Sequence, residues 1–132
     1  MRKQLLTLFL LLSTATFSSL SFGDWELAAA TADGDMIYWD KDRVRVSGGL
    51  VYYYFLQSLL KPSAGTFSRI VYAEGNCQRM STTHLSYSFY KQALGEGVAE
   101  TLNPPNPDIT YPEPGTVANS ILSAVCDYVN SN

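Results

Sequence analysis

The strongest constraint on the fold of this chain is the apolar run at positions 50–60 (LVYYYFLQSLL), which has no polar face. In a β-strand, alternate side chains point to opposite faces. Tyr52 and Tyr54 would then lie on one face, and Val51 and Tyr53 on the other. A strand that is apolar on both faces is normally central in its sheet and covered on both sides. The rest of the chain, or a partner, must therefore cover two faces.

Alternation of apolar and polar residues predicts further strands on either side of this run. They fall at 25–31, 36–40, 43–46, 67–73, 80–91 and 98–102. Gly48 and Gly49 predict a tight hairpin turn, and Pro62 and Gly65 predict that 61–66 is a loop. In the segment 80–91, one predicted row is apolar and the other is rich in hydroxyls. The apolar row contains Leu85, Tyr87 and Phe89, and the other contains Thr82, His84, Ser86 and Ser88.

The C-terminal segment has the 3.6-residue period of an amphipathic helix. Its apolar stripe contains Val117, Ile121, Leu122, Val125, Cys126 and Val129. Pro114 suits a position near a helix start, and Gly115 or Thr116 could cap it. The preceding residues 103–114 hold five prolines, which predicts an extended connection without regular pairing. The fold class is therefore predicted as α+β, an antiparallel sheet with a C-terminal helix on one face.

The N-terminus has the pattern of a secretory signal peptide. Arg2 and Lys3 precede an apolar run at 5–12, and Ser21 and Gly23 provide the small residues for cleavage after Gly23. The apolar run is too short for a membrane-spanning helix, which needs roughly 20 residues. We expect residues 1–23 to be removed and residues 24–132 to form a single domain.

The charge of the mature chain argues against two kinds of partner. Removal of Arg2 and Lys3 takes the formal net charge from −3 to −5. Phosphate backbones and anionic membrane surfaces both require clustered positive charge. We therefore expect no nucleic-acid binding, and the mature sequence contains no apolar stretch that would predict a transmembrane segment.

Cys77 and Cys126 are the two cysteines of the chain, and both remain after cleavage. In an exported protein an even number of cysteines indicates a disulfide. The bridge would close a loop of about 50 residues and contribute roughly 4 kcal/mol to stability. A redox pair would normally show C-x-x-C spacing, and a structural zinc site would need four ligands. A bridge between Cys77 and Cys126 would fix the helix to the sheet.

No pattern in the sequence predicts catalysis, a metal site or a cofactor. His84 is the single histidine, and no Gly-x-Ser-x-Gly motif accompanies it. Asp33, Asp35, Asp40 and Asp42 could offer oxygen ligands, but the calcium-loop pattern with a closing Glu is absent. We interpret these aspartates as turn-forming and solvated residues, and we expect the protein not to be an enzyme.

Several short motifs together resemble the bacterial surface-adhesin protein E-like family. They are Trp25, Gly34, Tyr38-Trp39-Asp40, Arg43-Val44 before Gly48-Gly49, Val51-Tyr52-Tyr53, Cys77, Gly95-Glu96-Gly97-Val98, and Pro114-Gly115-Thr116-Val117 running into Cys126. The sequence differs from the family pattern in having Tyr111 where a Trp is expected and Thr116 where a Ser is expected. The resemblance implies an antiparallel sheet with a helix held by a disulfide. It also implies an envelope or surface protein that adheres to host extracellular-matrix proteins.

These observations favour a non-enzymatic exported binding protein of a Gram-negative bacterium, located in the periplasm or on the outer surface. Tyr38, Tyr52, Tyr54 and Tyr72 are candidates for a binding surface on the sheet face opposite the helix. Exposed aromatic patches on small proteins tend to mark interfaces. The expected occupant is a protein, either a host extracellular-matrix protein or a second copy of the chain. The alternative is a periplasmic small-ligand carrier or an envelope assembly factor that uses the aromatic face as a pocket.

Overall fold

The computed structural model describes residues 25–132, so the predicted signal peptide at 1–23 lies outside the described part of the chain. This part contains eight β-strands and one α-helix, in the following order. They are β1 (Trp25–Ala30), β2 (Met36–Asp40), β3 (Arg45–Ser47), β4 (Leu50–Ser63), β5 (Thr66–Asn76), β6 (Ser81–Tyr90), β7 (Ala99–Leu102), β8 (Ile109–Thr110) and α1 (Val117–Ser131).

All eight strands belong to one antiparallel sheet, which confirms the predicted fold class. The order across the sheet is β1-β2-β4-β5-β6-β7. The short strand β3 pairs with β4 beyond the end of β2, and β8 pairs with β6 beyond the end of β7. The apolar run at 50–60 therefore lies in a central strand, as its two apolar faces predict.

A hairpin with a two-residue turn lies at each end of β4. Gly48 and Gly49 both have positive φ, 60° and 78°, which glycine adopts without the steric cost that a Cβ brings. The prediction of a loop at 61–66 was wrong, because β4 continues to Ser63 and turns at Ala64 and Gly65. Pro62 is tolerated there because β2 pairs with β4 no further than Ser58, so no neighbour on that side needs its missing N–H.

Two other segments differ from the sequence prediction. Residues 43–46 do not form a continuous strand, because Lys41–Arg43 is a 3₁₀ turn in which the Asp40 side chain accepts from the Asp42 N–H. The proline-rich segment does pair briefly, since Ile109 and Thr110 of β8 lie opposite Thr83 and Thr82. The pairing is limited to these two residues, which lie between Pro107 and Pro112.

A bulge in β6 changes which of its side chains share a face. Tyr72 lies opposite Ser86 and Ala73 opposite His84, so Leu85 is the extra residue. A bulge of one residue reverses the alternation on one side of it. As a result His84 lies on the same face as Tyr87 and Phe89, and the predicted hydroxyl-rich row that contained His84 was wrong.

Helix α1 begins and packs as its sequence predicts. The Thr116 hydroxyl accepts from the backbone N–H of Asn119, which makes Thr116 the N-cap. Four residues of its apolar stripe are buried, namely Ile121, Leu122, Val125 and Cys126. They pack on the sheet side that carries Ile37, Trp39, Val51, Tyr53, Phe55, Val71 and Ala73. Among residues 25–132, no helix has the length and apolarity that crossing a bilayer would require.

The predicted disulfide is present. Cys77, immediately after β5, is bonded to Cys126 in α1, and their Cα atoms are 5.7 Å apart. Gly75, two residues earlier, lets the helix approach closely, since a Cβ there would be 2.7 Å from Cδ1 of Leu122. The bridge and this close approach together fix α1 on one face of the sheet. The opposite face, which we call the open face, is not covered by a helix of residues 25–132.

Candidate functional site: the open aromatic face

The four tyrosines proposed from the sequence all lie on the open face. Within β4, Val51, Tyr53 and Phe55 are buried under α1, so Tyr52 and Tyr54 point to the opposite side. The strand register then places the other two tyrosines on the open face. Tyr72 lies opposite Tyr54, and Tyr38 lies opposite Leu56. All four are partly exposed.

One end of the open face is closed by a loop. The 3₁₀ turn Ala93–Gly95 lies over Leu56 and Ile70, and a Cβ at Gly95 would be 2.9 Å from Cδ1 of Ile70. The buried hydroxyl of Ser68 anchors this turn by donating to the Gln92 carbonyl at 2.6 Å and accepting from the Gly95 N–H at 2.8 Å. Leu56 is fully buried as a result. The exposed part of the face is therefore the end that carries the tyrosines.

The tyrosine rings form a connected group. Tyr54 and Tyr72 are stacked with their centroids 4.7 Å apart, and Tyr52 lies 6.3 Å from Tyr72. Aromatic pairs in this range attract one another and keep their rings in a fixed arrangement. The face thus offers rigid apolar surface together with phenolic hydroxyls.

Two arginines extend this group. The Arg43 guanidinium lies 4.2 Å from the centre of the Tyr54 ring and 5.6 Å from the Trp25 ring. Its Nε also donates to Asp40, which is fully buried and accepts from the Asp42 N–H as well. Because Asp40 is held by the 3₁₀ turn, Arg43 is fixed over the aromatic rings by an ion pair and by cation–π attraction.

Arg45 holds the neighbouring part of the face. Its guanidinium donates to the Tyr72 hydroxyl at 3.3 Å, and its Cα lies opposite that of Tyr52 in β3 and β4. A shallow cleft of about 310 Å³ is lined by Arg45, Tyr52 and Tyr72 together with Val46 and Ser47. The cleft combines cationic and aromatic walls, which suit a partner with carboxylates and apolar side chains.

Glu74 brings negative charge to the same face. It lies opposite Tyr52, and hydrogen bonding to its carboxylate raises the pKa of the Tyr52 hydroxyl above its usual value. Beyond Glu74 a second cleft of about 220 Å³ continues toward Leu50, Ile109 and Tyr111. Ile109 and Tyr111 are 65% and 62% exposed, so this end of the face also presents apolar surface.

Sequence reasoning missed four residues of this surface, namely Trp25, Arg43, Arg45 and Glu74. Strand alternation could have indicated Arg45 and Glu74. Both lie directly opposite Tyr52 on neighbouring strands, so their side chains point to the same face as Tyr52. The position of Arg43 depends on the path of the 3₁₀ turn at Lys41–Arg43, and strand alternation does not predict that this turn brings Arg43 over the aromatic rings.

The aspartates Asp35 and Asp40, considered above as possible oxygen ligands, make hydrogen bonds that stabilise the fold. Asp35 accepts from the Leu60 N–H at 3.0 Å and from the Gln57 amide at 3.5 Å, which ties the β1–β2 loop to β4. Asp40 is paired with Arg43, as described above. Among residues 25–132, no group of three or more potential metal-ligating side chains is close enough to hold an ion.

His84 lies on the helix side of the sheet. Its Nδ1 is 3.0 Å from the Tyr87 hydroxyl, and its ring meets Phe55 edge to face at 5.4 Å. Burial, and secondarily the charge of Arg69, lower the pKa of His84 below its usual value. The imidazole is therefore neutral at neutral pH. The open face and His84 are on opposite sides of the sheet, so they do not form a common site.

The fold and this surface define a class of small disulfide-linked α+β proteins that cover one sheet face with a helix and leave an aromatic face free. Within that class, the family model for surface-adhesin protein E matches residues 25–127, and the chain belongs to this family.

Solved structures of Haemophilus influenzae protein E have a similar fold. Crystal form II aligns with a TM-score of 0.58 at 18% identity, covering 69% of this chain and 80% of that one. Protein E from non-typeable H. influenzae aligns with a TM-score of 0.55 at 17% identity, covering 72% of this chain and 71% of that one. A comparison with curated proteins finds no match.

Proposed function

We propose that this protein is an exported adhesion protein, without enzymatic activity, that binds a host extracellular-matrix protein through its open face. The observation that carries the proposal is the difference between the two faces of one sheet. One face is buried under a disulfide-linked helix, whereas the other exposes Tyr38, Tyr52, Tyr54 and Tyr72. Membership of a surface-adhesin family supports adhesion as the role of that exposed face.

The composition of the open face supports a protein partner. Tyrosine, tryptophan and arginine are the residues most enriched in the energetically dominant centres of protein interfaces. Here Tyr54 and Tyr72 are already stacked on each other, and Arg43 and Arg45 are held against them. Side chains that are fixed before binding lose little conformational entropy on association.

A single charge at the centre of the group tests the proposal. The Tyr72→Glu variant should bind much less to the decellularised matrix of cultured epithelial cells than the unchanged protein does. Asn130→Glu, at an exposed position of α1, introduces the same charge outside the open face and should bind normally. Circular dichroism establishes that both variants are folded. Normal matrix binding by a folded Tyr72→Glu variant would contradict the proposed surface.

A second copy of the chain is the competing occupant of the same face. Native mass spectrometry of the protein and of the Tyr72→Glu variant distinguishes the two. A dimer that dissociates in the variant, together with no matrix binding, would assign the face to self-association. A monomer that binds matrix would support the adhesion proposal.

We also propose that residues 1–23 direct export and are removed. Expression of the full chain should give a mature protein whose N-terminal residue is Asp24, which intact-mass measurement and N-terminal sequencing detect. Protease treatment of intact cells then separates the two proposed locations. Digestion of the protein supports the outer surface, and protection until the outer membrane is opened supports the periplasm.

A further inference from the structure

A cleft on the helix side of the sheet has chemistry that adhesion through the open face does not use. Helix α1 packs mainly against β1, β2 and β4. Next to its first turns, between the helix and strands β2, β4, β5 and β6, lies a cleft of about 210 Å³. Its apolar lining consists of Ile37, Phe55, Val117, Ala118 and Ile121, and its polar lining consists of Gln57, Arg69 and His84.

Arg69 is the charged group of this cleft, and a hydrogen bond to Gln57 fixes the orientation of its guanidinium. Its Nε donates to Oε1 of Gln57 at 2.8 Å, and the Gln57 amide in turn donates to Asp35 at 3.5 Å. Within residues 25–132, the two terminal nitrogens of the guanidinium have no hydrogen-bond partner. Arg69 forms no ion pair with a carboxylate of residues 25–132, where the structure shows a single ion pair, between Arg43 and Asp40.

His84 adds a neutral polar group to the same wall. Its Nδ1 is engaged with Tyr87, and its ring lies against Phe55. Among residues 25–132, no acidic side chain lines the cleft. A second cleft that is also lined by His84 contains Asp108, whose carboxylate would repel an anionic ligand. The cleft beside Arg69 has no such repulsion from the described residues.

An apolar lining beside one free guanidinium suits an anion with an apolar body. A carboxylate matches the guanidinium because two parallel N–H groups can donate to its two oxygens. The cleft is smaller than the roughly 300–1,000 Å³ of sites for drug-sized ligands, which limits the ligand to a single ring or a short chain. We propose that this cleft binds a small apolar carboxylic acid in its ionised form, with Arg69 as the group that binds the carboxylate.

The direct test is a titration with phenylacetate, followed by the backbone amide signals of the isotope-labelled oxidised protein. We expect saturable shifts at Val117, Ala118 and His84. Phenylacetamide has the same ring and nearly the same shape without the charge, and it should cause no saturable shift. The absence of saturable shifts with phenylacetate up to about 10 mM, or equal binding of the amide, would overturn the proposal.

Three variants locate the site. Arg69→Met keeps the aliphatic stem and removes the charge, and Ala118→Leu fills the cleft while keeping the arginine. Each should weaken phenylacetate binding by about tenfold or more. Arg45→Met removes an arginine from the open face and should leave the affinity unchanged. If Arg45→Met weakens binding and folded Arg69→Met does not, the assignment of the carboxylate to Arg69 is overturned.

The two faces can be tested independently. Tyr72→Glu should lose matrix binding and retain phenylacetate binding, whereas Arg69→Met should do the opposite. Failure of the carboxylate titration therefore leaves the adhesion proposal intact, and failure of adhesion leaves the cleft intact.

Discussion

The hydroxyl of Tyr53 lies 3.0 Å from the hydroxyl of Thr82 in the buried layer between the sheet and the helix. Thr82 also donates to the Glu74 carbonyl at 3.1 Å. If Thr82 gives its proton to Glu74, its oxygen accepts the proton of Tyr53. A phenol that is 1% exposed is in this way satisfied in the middle of the core, and β4 is linked across β5 to β6.

Removal of this phenolic hydroxyl should lower the stability at neutral pH and reduce the further loss of stability at alkaline pH. Tyr53→Phe removes one buried hydrogen bond and should lower the free energy of unfolding by about 1 kcal/mol at pH 7. Burial raises the pKa of Tyr53 above its usual value of 10.0, so the folded state favours the protonated phenol. The stability gained from burying the protonated phenol of Tyr53 is present below pH 10 and is lost as the pH rises through the folded-state pKa. Denaturant unfolding from pH 7 to 11 should therefore show a smaller alkaline loss for Tyr53→Phe than for the unchanged protein.

Tyr111→Phe is the matched control, because Tyr111 is 62% exposed. It should change stability little at pH 7 and leave the alkaline loss as it is. An alkaline loss of the same size in the Tyr53→Phe variant would show that Tyr53 is not the group responsible.

The disulfide should account for a large share of the stability. It joins residues 49 positions apart, so replacement of both cysteines by serine should lower the free energy of unfolding by about 4 kcal/mol on the chain-entropy model. Guanidinium unfolding of the double variant measures the loss, and the unchanged protein under a reducing agent should give a similar value. A loss below about 1 kcal/mol would contradict a major role of the bridge in holding α1.

The features that sequence predicted well are those with a local cause. The period of apolar residues predicted β2 at 36–40, the stripe and the Thr116 cap predicted α1, and an even number of cysteines in a chain expected to be exported predicted the bridge. The bulge at Leu85 could not be predicted, because it depends on how β6 pairs with β5. The same applies to Pro62, which is acceptable in β4 only because β2 ends before it.

The candidate surface shows the same division. The alternation within β4 placed Tyr52 and Tyr54 together, and antiparallel pairing added Tyr72. The contribution of Arg43 required the three-dimensional path of a 3₁₀ turn. Likewise, the position of His84 on the helix side follows from the bulge, so the sequence assigned it to the wrong row.

His84 should make the protein less stable in mild acid. Burial and the nearby charge of Arg69 lower its pKa below the usual value of 6.5, so the unfolded chain takes up a proton more readily than the folded one. The contribution is fully present above pH 6.5 and is lost as the pH falls through the folded-state pKa. Stability measured between pH 7 and 5 should fall less for His84→Gln than for the unchanged protein.

A ring-proton titration of His84 by nuclear magnetic resonance provides the direct reading. The midpoint should lie below 6.5 and move upward in Arg69→Met, which removes the second cause of the shift. A midpoint at or above 6.5 in the unchanged protein would contradict this account.

The close approach of α1 to β5 at Gly75 should appear as a coupling between two core positions. A Cβ on Gly75 would lie 2.7 Å from Cδ1 of Leu122 and 3.0 Å from Cγ2 of Val51. Gly75→Ala should therefore cost about 1–3 kcal/mol through overpacking. In a Leu122→Ala background the contact with Leu122 is absent, so the added methyl should cost less stability there. The double-mutant cycle of these two substitutions should give a coupling free energy of at least about 0.5 kcal/mol.

Gly48→Ala is the control, because its φ of 60° causes strain but no atom lies within 4 Å of the new methyl. Its cost in stability should therefore be the same in both backgrounds. Equal costs of Gly75→Ala in both backgrounds would mean that the helix does not pack on this glycine as the structure indicates.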